Sequence, residues 1–246
     1  MNTEIFDVLE AEQDRLFALL TGLDETQWAS PSMCPTWSVS DVVLHLAQSE
    51  EAVTASLEDQ PAPIPVGQAS NVDEAMEQWV RAERGARPGE VLARWDAARR
   101  AAVAGLRDAD PAHPVQWAAA PLKPSTLATT RLAEHWIHTL DIADPLRIAH
   151  PDTHHLHHIA WLAHRTIGYA FDRAGRGPAP TVRAELTAPT GDTWVFGNEG
   201  SACLVTGPVG EFCRIAARRL DPQLATGIRA TGERADEVLE LVRTYA

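Results

Sequence analysis

The chain has 246 residues, of which 45% are hydrophobic and 22% charged, so it can bury a sizeable core in one large or two small globular domains. Its formal net charge of −13 disfavours a nucleic-acid partner, because phosphate binding requires clustered Lys and Arg, and the one lysine is Lys123. No stretch approaches the roughly 18 to 20 consecutive apolar residues of a membrane-spanning helix.

The start of the chain and its cysteines indicate a location. Residues 1–7 are acidic, whereas a secretory signal begins with basic residues followed by an apolar run. Cys34, Cys203 and Cys213 are odd in number and lack C-x-x-C spacing, which predicts neither a disulfide framework nor a cysteine zinc finger. We therefore expect a cytoplasmic protein without membrane contacts, and the sequence leaves monomer and dimer open.

Two long helices are predicted near the start of the chain. Apolar residues recur at helical spacing over residues 5–20, and the first helix is expected to end near Gly22. Ser38 can cap backbone N–H groups, and Asp41 lies in the first turn that follows, where the helix dipole favours an anion. This signature predicts a second helix from about Val39 to Leu57.

The middle of the chain also shows helical patterns. Four further helices are predicted, over residues 71–84, 90–107, 126–144 and 155–173. Residues 108–124 contain four prolines and cannot be helical throughout, so they are expected to form a long loop. Ser125 is expected to cap the helix that follows, and Pro145 to stop it. Long ordered loops of this kind often line functional sites.

The pattern changes after about residue 175. Residues 182–187 alternate in polarity, and the turn at 189–192 leads into 193–196, which is typical of a β-hairpin. A short strand over 202–205 and helices near 208–220 and 233–245 complete the prediction. The fold class is expected to be α+β, with an antiparallel four-helix bundle over residues 1–175 followed by a small α+β domain over 181–246.

Three side chains predict a metal site. Glu134 and His138 are separated by one helical turn and project from the same face of the predicted helix, so they can bind one cation. His45 lies on the shoulder of the apolar stripe of its own helix, and adjacent helices would add it as a third ligand. Two His and one carboxylate leave positions open for water or substrate.

Two aspartates could orient these ligands. Asp41 lies four residues before His45, and Asp141 lies three after His138, so each could accept the free ring N–H of a ligand. The spacing alone leaves another interpretation open. A Glu–His pair is common on exposed helix faces, and a lone histidine such as His45 is more often hydrogen-bonded at the edge of a core.

Two segments carry a resemblance to a known family. They are Pro35-Thr-Trp-Ser-Val-Ser-Asp-Val-Val-Leu-His45-Leu46 and Arg131-Leu-Ala-Glu-His-Trp-Ile-His-Thr-Leu-Asp141. Both resemble the signature segments of the DinB-like, mycothiol-dependent maleylpyruvate isomerase superfamily. Residues 186–194 and 205–213 are similar to the C-terminal part of a metal-binding branch of that superfamily, so the resemblance covers most of the chain.

The resemblance implies a fold, a cofactor and a chemistry. It implies a DinB-like bundle in which His45, Glu134 and His138 hold a divalent ion, usually zinc. It also implies a low-molecular-weight thiol such as mycothiol, which adds to a conjugated double bond of a small organic substrate and is then eliminated to release the isomer. The expected protein is thus a metal-dependent isomerase or thiol transferase.

Other functions stay open at this point, because a fold does not fix a reaction. One is a thiol-independent isomerase, cyclase or hydrolase of specialised metabolism that uses the metal as a Lewis acid. Another, of a different class, is a metal-binding regulatory protein that uses the bundle to bind a partner. A regulator predicts a closed metal shell, whereas an enzyme predicts an open coordination position.

Several side chains are candidates for substrate contacts. Trp37 and Trp117 lie in the loops expected to rim the end of the bundle, where they could stack on a substrate. Arg131 could neutralise Glu134 or bind a substrate carboxylate, although an ordinary surface pair is an equal alternative. His158 and Arg165 could contact an anionic substrate. Cys34 is interpreted as structural, because no neighbouring Lys or Arg would activate its thiol.

Overall fold

The computed structural model describes residues 4–60, 72–117 and 120–244. Backbone contacts divide the chain into two compact units, Met1–His150 and Pro151–Ala246. The sequence placed the helices of 155–173 with the bundle, but the structure groups them with the C-terminal unit. The helix over 156–165 packs against residues 193–196 and 209–216, and the helix over 167–173 packs against residues 235–241. The boundary therefore lies at 150/151 and not at the 175–181 linker.

The first unit is helical. Its helices are α1 (Glu4–Thr21), α2 (Glu25–Ala29), α3 (Val39–Leu57), α4 (Val72–Glu83), α5 (Pro88–Asp108) and α6 (Pro124–Ala143). The four long helices form the predicted bundle, since α1 and α3 each pack against both α5 and α6. The short helix α2 was not predicted. It is capped by Asp24, whose side chain accepts a hydrogen bond from the backbone of Gln27 at 2.8 Å.

Helix α3 lies in the centre of this unit. Leu46 and Val42 of α3 pack in one apolar cluster with Leu16 of α1 and Trp95 of α5, and all four are fully buried. Burial extends around the helix, so polar side chains of α3 such as His45 also lie inside the unit. A polar group that is buried in this way needs a partner, which makes the polar positions of α3 informative about function.

The helix starts follow two different rules. Helix α3 begins at Val39 with the predicted Ser38 cap, which the structure extends to a capping box, since Ser38 and Asp41 each bind the backbone N–H of the other. Helix α6 begins at Pro124, so the expectation that Ser125 caps it is wrong. Proline is favoured at the first helical position, because it has no N–H to satisfy and its φ is already helical.

The second unit combines helices with a small sheet. Its elements are α7 (Leu156–Arg165), α8 (Ile167–Arg173), β1 (Val182–Thr187), β2 (Thr193–Phe196), β3 (Cys203–Pro208), α9 (Val209–Ala216), β4 (Arg229–Gly232) and α10 (Ala235–Leu241). The sheet order is β2-β1-β3-β4, with β1 and β3 parallel and the other pairs antiparallel. The fold class is therefore α+β, as predicted.

The hairpin of β1 and β2 forms at the predicted residues, with Ala184 opposite Phe196. The single helix expected over 155–173 is instead two helices. Thr166 leaves the helical conformation between them, and its hydroxyl donates a hydrogen bond of 2.6 Å to the backbone oxygen of Arg243. None of the described helices combines the length and the apolar character needed to cross a membrane.

Candidate functional site

Three predicted ligands converge between α3 and α6. His45 Nε2 lies 3.0 Å from Glu134 Oε1, and His138 Nε2 lies 3.4 Å from the same oxygen. One ligand atom from each of the three side chains lies within 4.8 Å of those of the other two. The helical i, i+4 spacing brings Glu134 and His138 together, and the packing of α3 against α6 adds His45.

The separations fit shared coordination of one cation. Two atoms bound to zinc at about 2.0–2.1 Å and a tetrahedral angle lie about 3.3–3.4 Å apart. His45 and His138 are 4% and 8% exposed, whereas the side chain of Glu134 retains 27% exposure. The cluster is thus buried on the imidazole side and reaches solvent at the carboxylate.

The electrostatics of the three groups show how they are held together. Burial alone would raise the pKa of Glu134, but hydrogen bonds from His138 and His45 hold it well below its usual value. Burial lowers the pKa of His45. Burial would also lower the pKa of His138, but the hydrogen bonds to Asp141, Cys34 and Glu134 raise it well above its usual value. A cation at these ligands therefore competes with the proton of His138.

Asp141 lies beside His138 in the structure, and its role in orienting a metal ligand stays a prediction. Its Oδ2 accepts a hydrogen bond from His138 Nδ1 at 2.9 Å, which leaves Nε2 free to face Glu134. The thiol of Cys34 donates to the same oxygen at 3.1 Å, and its sulfur lies 3.8 Å from His138 Nδ1. Cys34 thus contacts two residues of the site, and its interpretation as structural stays a prediction. Its separation of 107 residues from Asp141 gave no local signal.

Asp41 does not orient His45, contrary to the prediction. Its carboxylate is used by the N-cap of α3, where Ser38 donates to it, and by Arg84, whose Nε donates to Oδ1 at 2.8 Å. Among the residues that the structure describes, Nδ1 of His45 has no hydrogen-bond partner. The ring is held by the hydrogen bond of its Nε2 to Glu134 and by packing against Trp37, at a centroid distance of 5.1 Å.

Trp37 and Trp117 lie at different places near the cluster. Trp37 is 8% exposed, and its indole N–H donates to Glu77 of α4, which fixes the ring beside His45. Trp117 is half-buried and lies 5.8 Å from the guanidinium carbon of Arg131. Stacking of either ring on a substrate stays a prediction.

Arg131 is buried, so the alternative of an ordinary surface pair with Glu134 is wrong. It is 4% exposed, and its Nε donates to Oε1 of Glu50, which is fully buried on α3, at 2.9 Å. Sequence reasoning missed Glu50. The signal that identifies Glu50 is an acidic residue on a helix that is buried nearly all round. That signal appears only in the packed structure, because the sequence does not show that this side of α3 is buried.

His158 and Arg165 lie in α7 of the second unit, so they belong to a different unit from the cluster. The guanidinium carbon of Arg165 lies 5.5 Å from the ring centroid of Trp161. The predicted contact of His158 and Arg165 with a substrate stays a prediction.

His135 is expected to stay neutral in acid. Its Nε2 accepts the indole N–H of Trp95 at 3.2 Å, its Nδ1 donates to the backbone oxygen of Arg131 at 2.8 Å, and burial lowers its pKa to about 3. The unfolded chain takes up this proton below about pH 6.5 and the folded chain only near pH 3. The contribution of His135 to the free energy of unfolding is therefore present above pH 6.5 and declines as the pH falls towards 3.

The titration can be followed by NMR of the histidine side chains, with His135→Gln to assign the resonance. A midpoint near pH 6.5 for the His135 resonance would contradict the assignment of a neutral ring that donates from Nδ1.

Comparisons with known proteins identify the family of the chain. The family model described as the mycothiol maleylpyruvate isomerase N-terminal domain matches residues 9–143, the part that contains all three ligands. Two proteins of Mycobacterium tuberculosis, both named as uncharacterized, come from strains CDC 1551 / Oshkosh and ATCC 25618 / H37Rv. Each is 32% identical to this chain, over 97% of this chain and 93% of the relative.

Solved structures share the fold. The crystal structure of the mycothiol-dependent maleylpyruvate isomerase matches with a TM-score of 0.63, and that of a histidine-to-alanine mutant of it with 0.62. Each is 16% identical in sequence, and each match covers 94% of this chain and 93% of the other. At that identity the match shows the fold alone. Since the family model covers more than half of the chain, the protein belongs to the DinB-like, mycothiol-dependent maleylpyruvate isomerase superfamily.

Proposed function

We propose that the protein is a metal-dependent isomerase of small organic substrates that uses a low-molecular-weight thiol such as mycothiol. The observation that carries the proposal is the convergence of His45, Glu134 and His138 within 4.8 Å, with the carboxylate partly open to solvent. Two imidazoles and one carboxylate suit zinc and leave a coordination position for a reactant. The names of the structural relatives support thiol-dependent isomerisation.

The residues of the chain have separable roles in this proposal. His45, Glu134 and His138 would hold the cation, which when bound supplies Lewis-acid chemistry and lowers the pKa of a thiol or water ligand. Asp141 holds the Nδ1 proton of His138, so that Nε2 faces the cation position. Trp37 packs against His45 and keeps water from that side of the ring.

The test combines metal analysis with an isomerisation assay. Untagged protein is analysed for bound metal by mass spectrometry and then assayed on maleylpyruvate with and without mycothiol, before and after chelation and addition of zinc. We expect turnover only when both zinc and the thiol are present.

The other outcomes distinguish the rival functions. Turnover that is unchanged without thiol would replace the proposal with a thiol-independent enzyme. Bound metal without turnover, together with inaccessibility of the metal to small ligands, would favour a regulatory protein. Protein that binds no metal would refute the metal-dependent function.

A further inference from the structure

A buried ion pair lies beside the candidate metal ligands. Nε of Arg131 on α6 donates to Oε1 of Glu50 on α3 at 2.9 Å, and the two residues are 4% and 0% exposed. Arg131 precedes Glu134 by three residues on the same helix, so both project from neighbouring positions on one face. The pair thus joins the two helices that supply the three ligands.

Stability does not explain this pair. A buried ion pair contributes little net stability, because removing two charges from water costs about as much as their attraction returns. Here Oε2 of Glu50 and Nη2 of Arg131 are also buried without a hydrogen-bond partner among the described residues. Each such atom adds to the desolvation cost of the pair. A pair that is costly for the fold calls for a functional reason.

The pair acts on the ligands through its charges. The guanidinium of Arg131 interacts electrostatically with both Glu134 and His45, and Glu134 interacts with Glu50. A positive charge at this place opposes the binding of a cation and favours an anion, and a negative charge has the opposite effect on both. The low dielectric of a buried site makes these effects larger than they would be at the surface.

We propose that Arg131 and Glu50 together set the charge of the metal site so that it accepts an anionic ligand. Arg131 favours a thiolate or a carboxylate in the position that the protein ligands leave open, and Glu50 offsets Arg131 enough for a divalent cation to bind. This inference rests on the proposed function in that His45, Glu134 and His138 must hold the cation.

Cobalt(II) is the probe for a test that is independent of turnover, because its visible spectrum reports both metal binding and the binding of a further ligand. Affinity for Co²⁺ is measured by competition with a chelator, and affinity for anions by titration of the cobalt protein with 2-mercaptoethanol or with acetate. We expect Arg131→Gln to tighten Co²⁺ binding by at least about tenfold and to weaken anion binding by at least about tenfold.

Glu50→Gln should change both affinities in the reverse directions, and the double variant should return both to within about threefold of the unaltered protein. These opposite signs separate a charge effect from damage to the fold, which would weaken both affinities together. Glu12→Gln is the matched control, because Glu12 is a fully buried acid of α1 that pairs with Arg15 at 2.8 Å and with His150 at 3.0 Å.

The outcomes are decisive. Arg131→Gln should weaken the binding of one anion more than that of the other. A larger loss for 2-mercaptoethanol identifies the ligand as a thiolate, and a larger loss for acetate identifies it as a carboxylate. Affinities that do not change, or that change in the same direction for metal and anion, would overturn the role of the pair while leaving the proposed function intact. Failure of the unaltered protein to bind Co²⁺ would overturn the proposed function and this inference with it.

Discussion

Replacing His138 by Ala should weaken the binding of zinc by more than about a hundredfold. Loss of a group that only orients a metal ligand typically costs 10–100-fold in metal affinity, and loss of the ligand itself should cost more. His138 is also the ligand with the most support, since Asp141 and Cys34 both lie on its Nδ1 side. His45→Ala should have a comparable effect, because its Nε2 shares the oxygen of Glu134.

The measurement is a competition titration with a zinc chelator, supported by mass spectrometry of the purified variants. Asp141→Asn should give an intermediate loss of about 10–100-fold, because it disturbs the orientation of His138 but keeps the imidazole. His113→Ala is the control, since His113 is exposed in the loop between α5 and α6. Stoichiometric zinc in both His45→Ala and His138→Ala would refute the ligand assignment.

The helices of the bundle were predictable because their signals are local. Ser38 and Asp41 lie three residues apart and predict the start of α3 at Val39, where the structure has it. The hairpin of 182–187 and 193–196 was predictable for the same reason. The alternation of apolar and polar residues and the turn at 189–192 are both visible within a few positions of the sequence. By contrast, β4 (Arg229–Gly232) has only four residues and forms by pairing with β3, which is about 25 positions earlier.

The site was predictable where local spacing and family resemblance agreed. The i, i+4 pair of Glu134 and His138 follows from helix geometry. His45, which lies 89 residues from Glu134, was added on the expectation that the two helices are adjacent, and the resemblance implied the same three residues. Cys34 and Glu50 reach the site across 107 and 81 residues, so no local pattern indicates them. Sequence spacing also cannot show which of several partners a carboxylate takes.

Asp41 illustrates that last limit. Its position four residues before His45 allowed a hydrogen bond to the ring, but the start of α3 and Arg84 compete for the same two oxygens. The helix N-cap is satisfied by its nearest carboxylate, and a guanidinium is the stronger partner for the remaining oxygen. The prediction therefore failed because the residue had a local structural role as well as a possible distant one.

Replacing Trp95 by Ala should lower the free energy of unfolding by about 3–5 kcal/mol, since it deletes a fully buried aromatic side chain. Trp95 lies in the core beneath the site, where its ring packs against Phe17 at a centroid distance of 6.5 Å and the guanidinium carbon of Arg99 lies 5.3 Å from it. The measurement is urea denaturation. The comparison is valid if the free energy of unfolding has a similar dependence on urea concentration in the variant and in the unaltered protein.

Trp95→Phe separates packing from hydrogen bonding. It keeps an aromatic ring but removes the N–H that binds Nε2 of His135, and the side-chain amide of Gln13, at 3.4 Å, stays as a donor to that atom. The expected loss is therefore about 0.5–1.5 kcal/mol, the net contribution of one hydrogen bond. A loss below about 1 kcal/mol for Trp95→Ala would contradict the central place of this ring in the core. Equal losses for the two variants would instead mean that the hydrogen bond to His135 dominates.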